Sequence, residues 1–472
     1  MELVELGDQF FWYRSPDMEI TDRCDAHESD PCVCVPAKSA QKYSVARLRV
    51  YPTTCWTGVH RRQTEVSQRD SDYTLARTYS MFREVSRRMG IMRARAAVLV
   101  CLLLTLIAPL APAGVSAQEL AATPSVSAHA AYAFDATANV ELLSENSAER
   151  RAPASTVKIV TAMVVLDHAK LDTQLVFDEA DTATEEESRM GLVAGDTVTV
   201  EQLLVGLMLP SGNDAARTLA RHVGTILLDG QPGDPIERFV EEMNAKVTEA
   251  GLSNTHFTSP DGLSDDDNQY TTAYDLAHLG ALAMGYKQIA QTVSQSKAEI
   301  TSVGPEARVY SLQNTNKFLE ESGTEYATQG VVGLKSGSTS KAGANLVLAK
   351  RERGGNLLIA VVLGSELSYD AQGIISVDGR WDDMRAVIDS VEGTFAWLNP
   401  ESSNDMPGLM DEMAAWQVTL KDDSGILVDR GARKEIRYQL ELLPQGPAKS
   451  DAGRVLFFAG ADQIAERPLI FR

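Results

Sequence analysis

Three runs rich in apolar residues follow one another in the last third of the chain: VVGLKSGS from 331, GANLVLAK from 343 and NLLIAVVLGS from 356. Short turns of small, hydroxyl and charged residues part them, so they are expected to pair as neighbouring antiparallel strands. The residues ahead of them have the opposite texture. A helix is predicted from about Ser155, opened by Pro153 and carrying Ile159, Val160, Met163 and Val164. Thr199 and Gln202 form a capping box before LLVGLML, which Pro210 stops, and Asp234-Pro235 opens a further helix that ends at Gly251. Thr272 and Asp275 are placed to cap the helix containing LAHLGALAM. AYAFDATANVELLSEN (131–146) reads as two short strands around a turn, and a closing helix is predicted from Asp382 to Leu398. A sheet with helices against it gives a mixed α/β (α+β) fold, an antiparallel sheet flanked by helices.

After residue 398 the pattern changes again. NPESSNDMPG (399–408) has the composition of a linker. Beyond it AWQVTLKD, EIRYQLELLP, RVLFFAG and RPLIF alternate like strands of a small all-β domain over 409–472. The sequence shows no terminal amphipathic helix, so a C-terminal membrane anchor is not expected.

The five cysteines, at 24, 32, 34, 55 and 101, all lie in the first 101 residues, the last of them inside the segment RRMGIMRARAAVLVCLLLTLIAPLAPAGVSA. Its basic flank, apolar run and small residues at Val115, Ser116 and Ala117 are the layout of a secretory signal, here 92–117 with cleavage after Ala117. Pro109 and Pro112 break the run before the ~20 apolar residues that a membrane span needs. Signals stand at the start of a protein, so residues 1–91 are expected not to belong to the native chain, and 118–400 to form the main domain. The product would act beyond the inner membrane, in the periplasm or on the extracellular face of the envelope. A net charge of −21 argues against nucleic acid as a partner, because phosphate binding needs a basic face.

Within RAPASTVKIVTAM, Ser155 and Lys158 are three positions apart and share one helix face. An alcohol becomes a nucleophile when a base takes its proton, and a lysine serves once desolvation leaves its amine partly neutral. The spacing alone is common: it recurs at Ser39/Lys42, Ser294/Lys297 and Ser338/Lys341. MLPSGNDAA brings Ser211 and Asn213 into a Pro-Ser-Gly loop, although Ser and Asn also suit an ordinary helix cap. VVGLKSGSTSKAG ends a strand on Lys335, Ser336 and Gly337, followed by Ser338; a cation among hydroxyls suits a carboxylate. His168, His222, His256 and His278 lack metal-binding spacing and read as structural, and SDDDNQ (264–269) reads as a solvated turn rather than a calcium loop. No metal or cofactor is expected.

Ser-x-x-Lys, Ser-x-Asn and Lys-[Ser/Thr]-Gly in that order resemble the signature of penicillin-binding proteins and class A β-lactamases. ENSAERRAPASTVKIVTAMV, GDTVTVEQLLVGLMLPSGNDAARTLA, MNAKVTEAGLSNTHFTSPDGL, YTTAYDLAHLG and the stretch from Gly333 to Glu366 resemble the D-alanyl-D-alanine carboxypeptidases, over residues 125–400. That resemblance implies a β-lactamase/transpeptidase-like fold and a serine enzyme that shortens peptidoglycan stem pentapeptides and binds β-lactams covalently, in cell-wall biogenesis and cell shape. Ser155 would be acylated, Lys158 would take its proton and Ser211 would relay it to the leaving nitrogen. Asn213 would bind the substrate amide or position Lys158. Lys335, Ser336, Gly337 and Ser338 would hold the terminal carboxylate, with backbone N–H groups of Ser155 and Ser338 as the oxyanion hole. Asp261, in SPDGL, would lie beside the site.

Two departures qualify the likeness. Lys-Ser-Gly replaces Lys-Thr-Gly, which keeps the hydroxyl and loses the methyl. There is no Glu-x-x-Leu-Asn stretch, so penicillin is expected to stay bound rather than be destroyed. The alternatives are a D,D-endopeptidase or β-lactamase on the same fold, or a non-catalytic wall-binding protein.

Overall fold

The sequence from Val331 to Ser365 forms three long strands, and the rest of the fold is arranged on them. The computed structural model describes residues 120–472 except position 265, and the backbone of 2–6 and 9–13. Strands β1 (Ala130–Asp135) and β2 (Val140–Glu145) precede β3 (Val331–Thr339), β4 (Gly343–Arg351) and β5 (Leu357–Ser365). They form one antiparallel sheet in the order β2–β1–β5–β4–β3. The turn between β1 and β2 is held by Asp135, whose carboxylate accepts from the N–H groups of Thr137 and Ala138 at 2.8 and 2.9 Å. Its second oxygen accepts from Asn356 Nδ2 at 2.6 Å and Trp397 Nε1 at 2.8 Å, so a fully buried carboxylate ties three segments together.

Alternation along the strands sends side chains to two apolar layers. Val347, Ala349, Ile359, Val361 and Leu363 face one core, while Leu346, Leu348, Leu358, Ala360 and Val362 face the other. The first face is covered by α1 (Lys158–His168), α2 (Val200–Met208), α3 (Asn213–Leu228), α4 (Pro235–Glu249), α5 (Ala273–Met284) and α6 (Lys287–Val293). The second is covered by α7 (Arg380–Thr394). The expected capping box at Thr199 and Gln202 forms with both bonds, and Asp234 caps α4 ahead of Pro235. Thr272 accepts from the Asp275 N–H, but the Asp275 carboxylate turns to Asn254 N and Thr255 Oγ1 instead of closing the box. Gly280 lets α5 lie close on the sheet: a Cβ there would stand 3.1 Å from Leu334 and 3.2 Å from Val347.

The predicted helix over 382–398 stops earlier. Helix α7 ends at Thr394, and β6 (Phe395–Leu398) follows as a strand. Then come α8 (Leu409–Ala415), β7 (Val418–Leu420), β8 (Ile426–Asp429), β9 (Ile436–Leu442), β10 (Asp451–Ala459) and β11 (Asp462–Phe471). The four-stranded C-terminal sheet runs β7–β11–β10–β9, and β6 pairs with β8. The linker-like stretch 399–408 is pinned by Asp405, a buried carboxylate bound by Arg353 at 3.1 Å and Arg433 at 2.7 Å.

The chain divides into two units, Met1–Thr105 and Leu106–Arg472. Of the first, Glu2–Leu6 and Gln9–Tyr13 form an antiparallel hairpin. The signal expected at 92–117, and the rest of the upstream 1–91, lie outside the described residues. Among the described residues no helix is long and apolar enough to cross a membrane.

Candidate active site

Ser155 does not begin an α-helix. It lies in a 3-10 turn, Ala154–Val157, that feeds α1, and Ala154 ahead of it has φ +50°, a conformation that costs a non-glycine residue energy. Asn345 on β4 clamps the approach to this turn: its Nδ2 donates to the carbonyls of Ala152 and Pro153 at 2.9 and 3.0 Å, and its Oδ1 accepts from Gly364 N. The 259–263 loop presses from the other side, where a Cβ on Gly262 would lie 2.1 Å from the Ala154 oxygen. That loop is fixed by Gln269, whose Oε1 accepts from Thr258 N and Ser259 N and whose Nε2 donates to Gly262 O.

Lys158 is fully buried. Its Nζ donates to Ser155 Oγ at 2.9 Å, Asn213 Oδ1 at 2.6 Å and the Asp261 carbonyl at 2.8 Å. Burial pushes the amine down to about 8; Asp261, Asp214 and Glu187 pull it back up and Arg217 pushes it further down. Asn213 opens α3, and its amide is oriented by a second contact, Nδ2 to Glu187 Oε2 at 3.0 Å. Asp214 anchors the neighbouring chain by accepting from the N–H groups of Met190, Gly191 and Leu192. Ser211 is held at φ +64°, and its buried Oγ has no hydrogen-bond partner among the described residues.

The third motif lies at the open edge of the sheet. Lys335 is buried, donates to its neighbour's carbonyl, Ser336 O, at 2.8 Å, and is pushed well below its usual pKa by burial and by the positive charges of Lys158 and Arg380. Gly337 explains its own identity: a Cβ there would stand 2.8 Å from Ser155 N and 2.9 Å from Thr156 N. Ser336 Oγ meets Thr315 Oγ1 at 2.8 Å, and Thr315 N donates to the Leu209 carbonyl just ahead of Ser211. Arg380, buried at the start of α7, donates to Gly337 O and Asn345 O beneath the strand. Ser338 lies beyond Gly337 on β3, paired with Ala344 at a half-buried position.

The structure therefore brings Ser155, Lys158 and Asn213 into contact and sets Gly337 against Ser155, with Lys335 and Ser336 next to Gly337 on β3, Ser211 two residues ahead of Asn213, and the Asp261 carbonyl on Lys158. Glu187, Arg217, Thr315, Asn345 and Arg380 were not singled out from the sequence. Arg217 follows Asn213 by four positions and so shares its helix face, a signal that was there to read. Glu187 lies in the run TEEES and gives none. The four candidate histidines lie on other contacts: His168 faces Glu242, His222 has its pKa lowered by burial, His256 meets the Asn268 carbonyl and His278 that of Tyr274. Among the described residues no cluster of three or more His, Cys, Asp or Glu is arranged to hold a metal ion.

A hydroxyl touched by a buried, deprotonation-prone lysine, against an antiparallel sheet covered by helices, defines a serine hydrolase of the penicillin-binding fold. Residues 117–366 match the profile of the D-alanyl-D-alanine carboxypeptidases, and the chain belongs to that family. A D-alanyl-D-alanine carboxypeptidase of Streptomyces sp. K15 is 34% identical over 250 residues, 51% of this chain and 82% of that protein. D-alanyl-D-alanine carboxypeptidase DacB2 of Mycobacterium tuberculosis is 34% identical over 254 residues, 53% of this chain and 76% of its own length. The crystal structure of the Streptomyces K15 DD-transpeptidase aligns with a TM-score of 0.50 at 31% identity, over 58% of this chain and 99% of that one.

Proposed function

We propose that this serine-type D-Ala-D-Ala carboxypeptidase trims peptidoglycan stem pentapeptides on the outer side of the cell membrane, with Ser155 as its nucleophile, and is acylated by β-lactams at the same atom. Residues 118–400 carry the reaction and 409–472 form a β-rich appendage. The observation that carries the reading is the environment of Lys158. A neutral amine has two N–H bonds and one lone pair. Asn213 Oδ1 and the Asp261 carbonyl accept the two N–H bonds, which turns the lone pair toward Ser155 Oγ at 2.9 Å.

Lys158 takes the hydroxyl proton as Ser155 Oγ attacks the carbonyl carbon between the last two D-alanines. The oxyanion is held by the N–H groups of Ser155 and Ser338. The C–N bond then breaks, and the proton passes from Lys158 through Ser211 to the departing amine; the buried Ser211 hydroxyl has no competing hydrogen-bond partner among the described residues. Lys335, Ser336 and Ser338 bind the terminal carboxylate. Water, activated by Lys158, attacks the ester, releasing the shortened peptide and restoring Ser155.

The test pairs fluorescent penicillin with D-alanine release from a peptide ending in D-Ala-D-Ala, using native protein and Ser155→Ala. Both signals should vanish in the variant, and labelling that persists would remove Ser155 as nucleophile. Because the Streptomyces K15 relative is named a DD-transpeptidase, an amine acceptor such as glycylglycine belongs in the assay. A transfer product in place of hydrolysis would make an amine, not water, the second substrate.

A further inference from the structure

Behind the amine lies a chain of charges to which the reaction assigns no role. Arg217, on α3, reaches three partners at once: Nη2 to Glu187 Oε2 at 2.8 Å, Nε to Asp261 Oδ2 at 3.0 Å and Nη1 to the Thr182 carbonyl at 3.1 Å. Glu187 Oε2 also accepts from Asn213 Nδ2 at 3.0 Å. Both acceptors that hold Lys158 are thus steered from behind. Glu187 fixes which end of the Asn213 amide meets the amine, and Arg217 holds the residue whose carbonyl meets it. The Asp261 side chain is 5% exposed, Glu187 18% and Arg217 25%, so the pairs are shielded more than a surface bridge.

We propose that Glu187 and Arg217 are positioning residues for acylation: an ion-paired clamp that holds Asn213 and the Asp261 carbonyl on Lys158 and balances the charge around it. The proposal rests on Lys158 being the base. The charged groups facing Lys158 are Asp261 from the loop beneath it, Arg217 and Asp214 from α3, Glu187 from the preceding segment and Lys335 from β3, with Arg380 behind Lys335. Glu187 and Arg217 act on the amine with opposite sign. The negative charge of Glu187 favours the ammonium, and the positive charge of Arg217 favours the free amine. An arginine suits the centre of the clamp because its planar fork serves several oxygens in fixed directions, which a lysine cannot do.

The opposite signs give a test that a merely structural role would not pass. Acylation by fluorescent penicillin is followed from about pH 6 to about pH 10 in full-length native protein, Glu187→Gln, Arg217→Gln and Arg217→Lys. Glu187→Gln keeps an oxygen for Asn213 and removes the charge, so the limb reporting Lys158 moves to lower pH. Arg217→Gln moves it to higher pH, each by about half a unit or more. Arg217→Lys keeps the limb near its native position and lowers the plateau rate, because one amine cannot reach all three oxygens. Lys158→Ala, run in parallel, separates the two layers of the argument. If Lys158→Ala is inert and both glutamine variants keep the native limb, or move it in the same direction, the clamp is overturned. If Lys158→Ala acylates with an unchanged profile, the base assignment fails instead. Glu187→Gln is close to isosteric and carries the test alone should Arg217→Gln not fold.

Discussion

Gly337→Ala isolates one contact on which the site depends. Its φ is not in the left-handed region, so alanine brings no backbone strain; in an open strand it would even stabilise, by about 0.4–1 kcal/mol, by restricting the unfolded chain. The new methyl, however, stands 2.8 Å from Ser155 N, 2.9 Å from Thr156 N and 3.3 Å from Ala154 Cβ, where ordinary contact begins at 3.4 Å. The overlap is about half an ångström, and the Ser155 turn cannot retreat, since Asn345 and the Gly262 loop hold it from behind. Strand β3 must move instead, carrying Lys335, Ser336 and Ser338 away from the nucleophile. Overpacking of this kind costs about 1–3 kcal/mol, which outweighs the entropic gain. Misplacement on this scale should slow acylation by about ten- to a hundredfold. Stopped-flow labelling with fluorescent penicillin reads the rate, and thermal unfolding reads the stability. Gly337→Ala acylating within about threefold of native, with an unchanged Tm, would refute the idea that close approach of strand and turn builds the site.

Because burial lowers Lys158 to about 8, roughly one-tenth of the molecules hold it neutral at pH 7 and about half at pH 8. Penicillin acylation should therefore climb about tenfold from pH 7 to a plateau above pH 9; a flat profile across that window would contradict a lysine base. Asp135→Ala strands the donors of Asn356 and Trp397 in the core and should cost about 3 kcal/mol or more in urea unfolding, whereas Asp135→Asn, which keeps part of the acceptor set, should cost less. Asp405→Ala frees Arg353 and Arg433, both close to half exposed and able to re-solvate, so the loss should be limited to about 1–2 kcal/mol and show in calorimetry as earlier melting of the C-terminal region.

How far the sequence led depended on whether the deciding contacts were local. The long strands β3, β4 and β5 are legible because three successive stretches rich in Val, Leu, Ile and Ala between turn residues have few other uses, and the caps at Thr199 and Asp234 are legible because each satisfies N–H groups within three residues. FAWL, the residues of β6, reads in the sequence as the end of a helix. An apolar run of four has no period of its own, and what makes it a strand is pairing with Ile426–Asp429 about thirty residues away. The stretch 399–408 has linker composition for the same reason: nothing local marks Asp405 as a buried carboxylate awaiting two arginines. In the site, the hydroxyl and amine positions were legible as chemistry. The acceptors around Lys158 were not all so, because one of them is a backbone carbonyl, that of Asp261, and a carbonyl has no residue type.

The strain in the backbone follows the same division. Left-handed conformations at non-glycine residues include Ala154 before the nucleophile, Ser211 in the second motif and Leu334 before Lys335, one beside each of the three segments. Helix and strand propensities favour negative φ at each of them, and the rotation of about 100° or more needed to reach it would swing the neighbouring residue away from the site. Strain of about 1–3 kcal/mol per residue persists only where surrounding contacts over-determine the geometry. Those contacts are visible: Asn345 and Gly262 at the first segment, Asp214 and Met190 at the second. At the third, Gly333, itself at φ +112°, packs so closely on Val293 that a Cβ would fall 2.2 Å from its carbonyl oxygen. The fold therefore departs from its own local preferences at the points where three distant segments must meet. That is what a site held ready before substrate arrives requires, since a chain relaxed at all three positions would have to spend binding energy assembling Ser155, Lys158 and Lys335 anew in each turnover.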